Sequence, residues 1–222
     1  MLEKETLSFL RNLKKNNRKE WFDTNRKAYE EARADFSRFI YQLIVQTATF
    51  DPSIAHLTSK DCMFRINRDI RFSKDKSPYK TNFGASINMG GRKSSLGGYY
   101  FHLEPGGKSF IGGGVYMPMA PELKMIRQEI DYNFDEFKQI IGNKAFRSTY
   151  GDLDKRSEFS LVTTPKGYEK DNPAIEYLRL KSFIADKSLT DEELTSKSLL
   201  KNAVAAFKAL HPLIVFLNRS VD

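Results

Sequence analysis

Tyr99-Tyr100-Phe101-His102-Leu103-Glu104-Pro105-Gly106-Gly107-Lys108-Ser109-Phe110-Ile111-Gly112-Gly113-Gly114-Val115-Tyr116 sets two strand-like runs around a proline and glycine turn. Successive side chains of a strand point to opposite faces, so Tyr99 to Glu104 and Ser109 to Tyr116 read as hairpin arms, with Pro105 to Lys108 turning the chain. Upstream, Met63 to Phe72 also alternates, with Phe64, Ile66, Ile70 and Phe72 on one face and Arg65, Asn67, Asp69 and Arg71 on the other. Phe83 to Met89 makes a further strand that Gly90-Gly91 closes. Strands that follow one another on short connections predict an antiparallel sheet of at least four strands in the middle of the chain.

Helical spacing frames this stretch on both sides. Leu7, Phe9, Leu10 and Leu13 make a short first helix; Asn17 and Glu20 then form a capping pair for a second. Phe22, Tyr29, Ala32, Phe36, Phe39, Ile40, Leu43 and Ile44 carry that helix to about Thr47, before Asp51-Pro52. After Pro118 the period returns to that of a helix through Ile126 and Ile130, then Phe137, Ile140 and Ile141, with Asn133 and Glu136 as a capping box and Gly142 as the stop. Residues 149–172 are irregular. Pro173 opens a helix carrying Ile175, Leu178 and Leu180; Thr190 and Glu193 cap a turn; a last helix runs from about Ser198 to Leu217, bent or restarted at Pro212. Helices, then strands, then helices predict an α+β fold, with N-terminal and C-terminal helices packed on the sheet, in one domain spanning 1–222.

Composition narrows the class. The chain has 222 residues, 40% of them hydrophobic and 29% charged, with a mean hydropathy of −0.52, a globular profile that excludes disordered and collagen-like classes. Uncharged runs such as Phe39 to Phe50 stop at 12 residues, against about 20 for a bilayer span, so no membrane association is expected. The opening residues lack a secretory pattern, which predicts a cytoplasmic protein. Cys62 is the single cysteine, so no intramolecular disulfide or multi-cysteine zinc site is available, and it reads as a structural thiol.

The formal charge of +8 is unevenly placed. Lys60 to Lys80 holds seven basic and three acidic residues, a net +4 in 21 residues. Side chains two apart on a strand lie about 7 Å from each other on one face, so Arg65, Asp69 and Arg71 would form a row able to grip an anion. Lys76 and Lys80 can reach the same ligand from the following turn, the arginines binding phosphate or carboxylate bidentately. Arg68 falls among the apolar residues of that strand, where a guanidinium must be paired or end in a cavity.

The pattern Arg65-x-x-Arg68-Asp69-x-Arg71-Phe72-Ser73-Lys74-Asp75-Lys76-x-Pro78-Tyr79-Lys80-Thr81 resembles the hallmark of an uncharacterised, mainly bacterial family catalogued as domain of unknown function 2461. Asn17 to Phe22 is similar to that family's N-terminal motif, Gly98-Tyr99-Tyr100 with Gly112-Gly113-Gly114 to its hairpin, and Leu178 to Phe183 to its C-terminal helix. The resemblance implies a single α+β domain of about this length and brings no activity, substrate or catalytic residue.

Other chemistry is sparse. His102 shares a hairpin face with Tyr100 and Glu104, the arrangement of a base beside its orienting carboxylate, or of a plain surface pair. Gly112 to Gly114 permits close approach of a backbone or ligand, but lacks the lysine and the helix of a phosphate loop. No histidine pair has metal-ligand spacing, and neither a cofactor motif nor a nucleophile elbow is present. The expected function is binding of a small phosphorylated or carboxylated ligand through Arg65, Arg68, Asp69, Arg71, Lys76, Tyr79, Lys80, Tyr100 and His102, with no reaction specified. A nucleic-acid-binding module is the alternative, favoured by the pI of 9.4 and by tyrosines near the basic stretch, disfavoured by the mixed charge elsewhere. A structural or interaction domain, in which arginine and aspartate form an internal ion-pair network, is the other.

Overall fold

The computed structural model describes residues 1–220. Its fold is α+β. Four strands, β1 (Phe83–Ile87), β2 (Gly98–Leu103), β3 (Ser109–Val115) and β4 (Phe183–Leu189), form one antiparallel sheet in the order β1-β2-β3-β4. Helices precede it as α1 (Lys4–Lys15), α2 (Lys19–Thr24), α3 (Arg26–Thr47) and α4 (Ser59–Cys62). Between β3 and β4 come α5 (Ala120–Tyr132), α6 (Phe134–Gly142), α7 (Lys144–Tyr150) and α8 (Ile175–Leu178); α9 (Asp191–Leu194) and α10 (Leu199–Asn218) end the chain's regular structure.

The strand count agrees with the sequence reading, but its membership does not. Residues 63–72 are not a strand: Met63 bridges Ala85 at the edge of β1, and the chain then folds back on itself, with Asn67 bridging Tyr79. Two features stop a ladder there. Pro78 has no N–H to give, although its carbonyl accepts from the Arg68 N–H at 2.9 Å. Asp69 and Asp75 accept from the N–H groups of Arg71 and Ser77, at 3.3 and 2.9 Å, so local turns take the donors that a partner strand would need. Burial does not follow the alternation either, since Phe72 is 95% exposed.

The fourth strand is β4. It begins at Phe183, inside the stretch expected to be helical: α8 is only one turn, and Arg179 and Lys181 are drawn into pairing with Leu161 and Phe159. The second helix is also divided. Asn25 caps the end of α2, returns its side-chain N–H to the Trp21 carbonyl at 2.8 Å, and precedes α3. Arg18 stands at the α2 N-cap, and Asn17 is used elsewhere. Asn133 caps the start of α6 without the side-chain bond that was expected, whereas Thr190 and Glu193 do form their capping box.

The chain divides into two compact units. One comprises residues 1–92, 100–111 and 188–204; the other comprises 93–99, 112–187 and the chain from Ala205 onward. In the first, α1 and α3 pack together and their apolar faces meet β1 and β2: Phe36 lies 5.4 Å from Phe83 and Phe39 lies 4.9 Å from Phe101, ring to ring. Burying each such ring contributes roughly 1.5–3 kcal/mol. The buried Asp35 carboxylate ties the start of α1 to α3 by accepting from the Thr6 hydroxyl at 2.7 Å and the Glu3 N–H at 3.0 Å. Along β2 Phe101 and Leu103 are buried, and Tyr100 and His102 take the other face, half-buried.

In the second unit Phe137 packs against Tyr177 and Phe216, and Tyr99 against Phe207 at 4.8 Å. α10 is the one described helix long and apolar enough to cross a membrane, and 44% of its most apolar window is buried within the fold. The glycine run of β3 is explained by neighbouring backbone. A methyl group on Gly112 would lie 2.1 Å from the Ala185 carbonyl oxygen, and one on Gly114 2.0 Å from that of Phe183. Neither carbonyl can yield without breaking the β3 to β4 pairing. We expect Gly112→Ala to cost 2 kcal/mol or more, about the upper range of overpacking, in denaturant unfolding. Gly142→Ala, where an added methyl meets nothing within 4 Å, is the matched control and is expected to be neutral or slightly stabilising.

Candidate functional site

The basic motif forms a closed loop. Its arms, 66–68 and 78–80, are joined by the Arg68 N–H to Pro78 carbonyl bond and by the Lys80 N–H to Ile66 carbonyl bond at 2.8 Å. Arg68 closes the tip: its guanidinium pairs with Asp75 and donates to the Ser77 carbonyl at 3.2 Å and the Ser73 hydroxyl at 3.3 Å. Hydrogen bonds from Ser77, then Arg68, hold the Asp75 carboxyl down at about 2. Arg71 binds Asp69 through two parallel bonds of 3.0 and 2.6 Å, a pair that faces solvent. That partner holds the Asp69 carboxyl below its usual range. Lys76 donates to the Ile70 carbonyl at 3.0 Å.

Tyr79 belongs to the core. Its ring stacks on Phe22 with centroids 4.0 Å apart, and Asn17 grips its backbone on both sides, donating to the Tyr79 carbonyl at 2.8 Å and accepting from its N–H at 3.1 Å. Arg68, Asp69, Arg71, Lys76 and Tyr79 are therefore occupied in building the loop and its anchor.

Arg65 is different. It lines an open groove of about 620 Å³ together with Arg33, Arg38, Tyr29 and Glu30 of α3 and with Asn67. Arg38 is tied to the buried Asp35 at 3.2 Å, whereas among the described residues Arg33 and Arg65 have no ion-pair partner. Lys80 is half-buried over the Phe64 ring, 5.3 Å from its centroid. Burial first, and the positive charge of Arg65 second, lower its amine below the usual lysine value.

Three side chains on the half-buried face of β2 and its continuation form a chain of polar contacts. The Tyr100 hydroxyl lies 3.2 Å from His102 Nδ1, and His102 Nε2 lies 3.5 Å from Glu104 Oε2. The other Glu104 oxygen meets Lys14 at 3.4 Å and Lys108 at 3.9 Å, with the Thr81 hydroxyl at 3.5 Å. The imidazole stacks on Phe110, 4.7 Å away and 12° from parallel. Phe64 links this row to Lys80, its ring 6.4 Å from that of Tyr100.

The predicted residues thus separate into a loop scaffold, the groove cation Arg65, and the Tyr100 and His102 row, which Lys80 adjoins through Phe64. Arg33 was not legible in sequence, because on α3 it reads as one more exposed cation. Phe64 and Phe110 read as ordinary strand residues. Cys62 is buried, and desolvation pushes its thiol up to about 12, which suits a structural role. Among the described residues no group of three or more His, Cys, Asp and Glu side chains is placed to hold a metal ion.

Burial lowers the His102 pKa, and Glu104 opposes the shift. The folded state therefore resists protonating this imidazole. Its contribution to stability is present above the unfolded value of about 6.5 and is lost as pH falls from there through the lowered folded value. NMR titration of the imidazole is expected to give a midpoint below about 6.5, and Glu104→Gln is expected to lower it further by removing the opposing charge.

No curated protein and no solved structure matches the chain. The model of one family, described as conserved hypothetical protein (DUF2461), matches residues 5–216. With the closed basic loop, the hairpin and all four strands inside that span, the chain belongs to the DUF2461 family of conserved hypothetical proteins.

Proposed function

We propose that the protein binds a small anionic ligand, phosphorylated or carboxylated, in the groove between α3 and the 65–67 segment. The observation that carries this reading is that Arg33 and Arg65 both line the groove and, among the described residues, neither forms an ion pair. Guanidinium groups from α3 and from the 65–67 segment offer planar donors to an oxyanion, and Tyr29 and Asn67 add a hydroxyl and an amide. The volume of about 620 Å³ falls within the range of about 300–1,000 Å³ usual for small-molecule sites. Glu30 on the same wall disfavours a polyanion laid along the groove and favours a compact ligand that also carries a donor.

The extended nucleic-acid reading has less support, because Arg68, Arg71 and Lys76 are engaged within their own loop. Isothermal titration with inorganic phosphate and citrate tests the proposal. Binding is expected to weaken at least about tenfold in Arg65→Ala and in Arg33→Ala, the loss of one charge-assisted contact, with Arg71→Ala unchanged. Absence of binding by either anion, or equal sensitivity to Arg71→Ala, would overturn it; so would oligonucleotide binding that falls steeply with salt.

A further inference from the structure

The row Tyr100, His102 and Glu104 shares no residue with the groove, and binding there leaves it unused. Its geometry is that of an activated nucleophile: a hydroxyl within hydrogen-bond reach of an imidazole, and the imidazole oriented in turn by a carboxylate. We propose that this face of β2 is a phosphoester-processing site in which Tyr100 Oη is the nucleophile, His102 its base and Glu104 the positioning residue.

The carboxylate can only accept, so Nε2 carries the ring proton toward Glu104 and Nδ1 presents its lone pair to the tyrosine hydroxyl. Neutral imidazole is the form a base needs, and its burial beside Phe110 favours that form. The oxygen has a defined seat. A methyl group on Gly84 would lie 2.6 Å from Tyr100 Oη, so the hydroxyl rests close against that glycine. The surroundings select the electrophile. Lys14 and Lys108 reach the Glu104 end, and Lys80 stands beyond Phe64, so cations outnumber acids around the row and favour an anionic ester. Phe64, 38% exposed, and the half-buried Phe110 flank Tyr100 and suit a planar leaving group.

In the step itself Oη attacks phosphorus, the bond from phosphorus to the leaving oxygen breaks, and the phenol proton passes to Nδ1. His102 returns that proton to the leaving oxygen. Water then attacks phosphorus, giving a proton to His102; the bond from phosphorus to Oη breaks, and His102 returns the proton to Oη, releasing phosphate from a monoester or a phosphomonoester from a diester.

Two probes test this on the intact chain. An aryl sulfonyl fluoride reads the nucleophile alone, since Oη replaces fluoride on sulfur; peptide mass spectrometry then compares sites within one sample. Tyr100 is expected to be labelled at least about tenfold faster than the exposed Tyr41 and Tyr132, with a rate that rises through the His102 titration. His102→Gln and Glu104→Gln should reduce labelling at Tyr100 and leave it unchanged at Tyr41 and Tyr132. Bis(p-nitrophenyl) phosphate reads the substrate class: release of one nitrophenolate with a nitrophenylphosphoryl adduct on Tyr100, abolished in Tyr100→Phe, is expected. Labelling of Tyr100 no faster than of Tyr41 and Tyr132 would overturn the proposal without recourse to any variant. Fast labelling with no reaction of the phosphodiester would overturn the phosphoester assignment.

Discussion

The side-chain amide of Asn17 takes the place of a neighbouring strand for Tyr79, binding both its carbonyl and its N–H, and Phe22 closes over the ring. This clamp pins the base of the basic loop to the N-terminal helices. Because Lys80 and Arg68 are paired across that base with Ile66 and Pro78, the clamp also sets where 64–67 lies. Arg65 is thereby brought to the α3 groove, and Phe64 to the half-buried face of β2 beside Tyr100. The Met63 to Ala85 bridge and the Phe64 N–H to Gly84 carbonyl bond at 3.0 Å hold the other end of that arm against β1.

The loop consumes much of its own charge. Arg68 binds Asp75, Arg71 binds Asp69, and Lys76 caps the Ile70 carbonyl, so the density of cations in the sequence overstates what a ligand would meet. Exposed pairs such as Arg71 with Asp69 contribute little to stability. The Arg68 pair is more enclosed and bonds to three groups of the loop, which gives it a shaping role. The proposed ligand chemistry therefore rests on the cations that the loop leaves unpaired and on the row on β2.

The hairpin was legible because each of its signals agreed: alternation in both arms, and a turn rich in proline and glycine. Residues 63–72 showed similar alternation and misled, since two aspartates and Pro78 divert the hydrogen bonds that a strand requires. β4 hid behind polar outward positions at Asp186 and Ser188, although Phe183, Ala185 and Leu189 carry the period of two on the buried side. For the site, period two correctly put Tyr100, His102 and Glu104 on one face. Arg33 needed the tertiary fold, because 32 residues separate it from Arg65 and no local pattern distinguishes it from its helical neighbours.

The central claim is that the motif presents Arg65, with Arg33, as its anion-binding cations, while its other arginines hold the loop together. A crystal structure grown with tungstate, located by its anomalous signal, tests this most directly. The account predicts a tungstate between the Arg33 and Arg65 guanidinium groups, with Arg68 still on Asp75. Tungstate on Arg71 or Lys74 with the groove empty would contradict it.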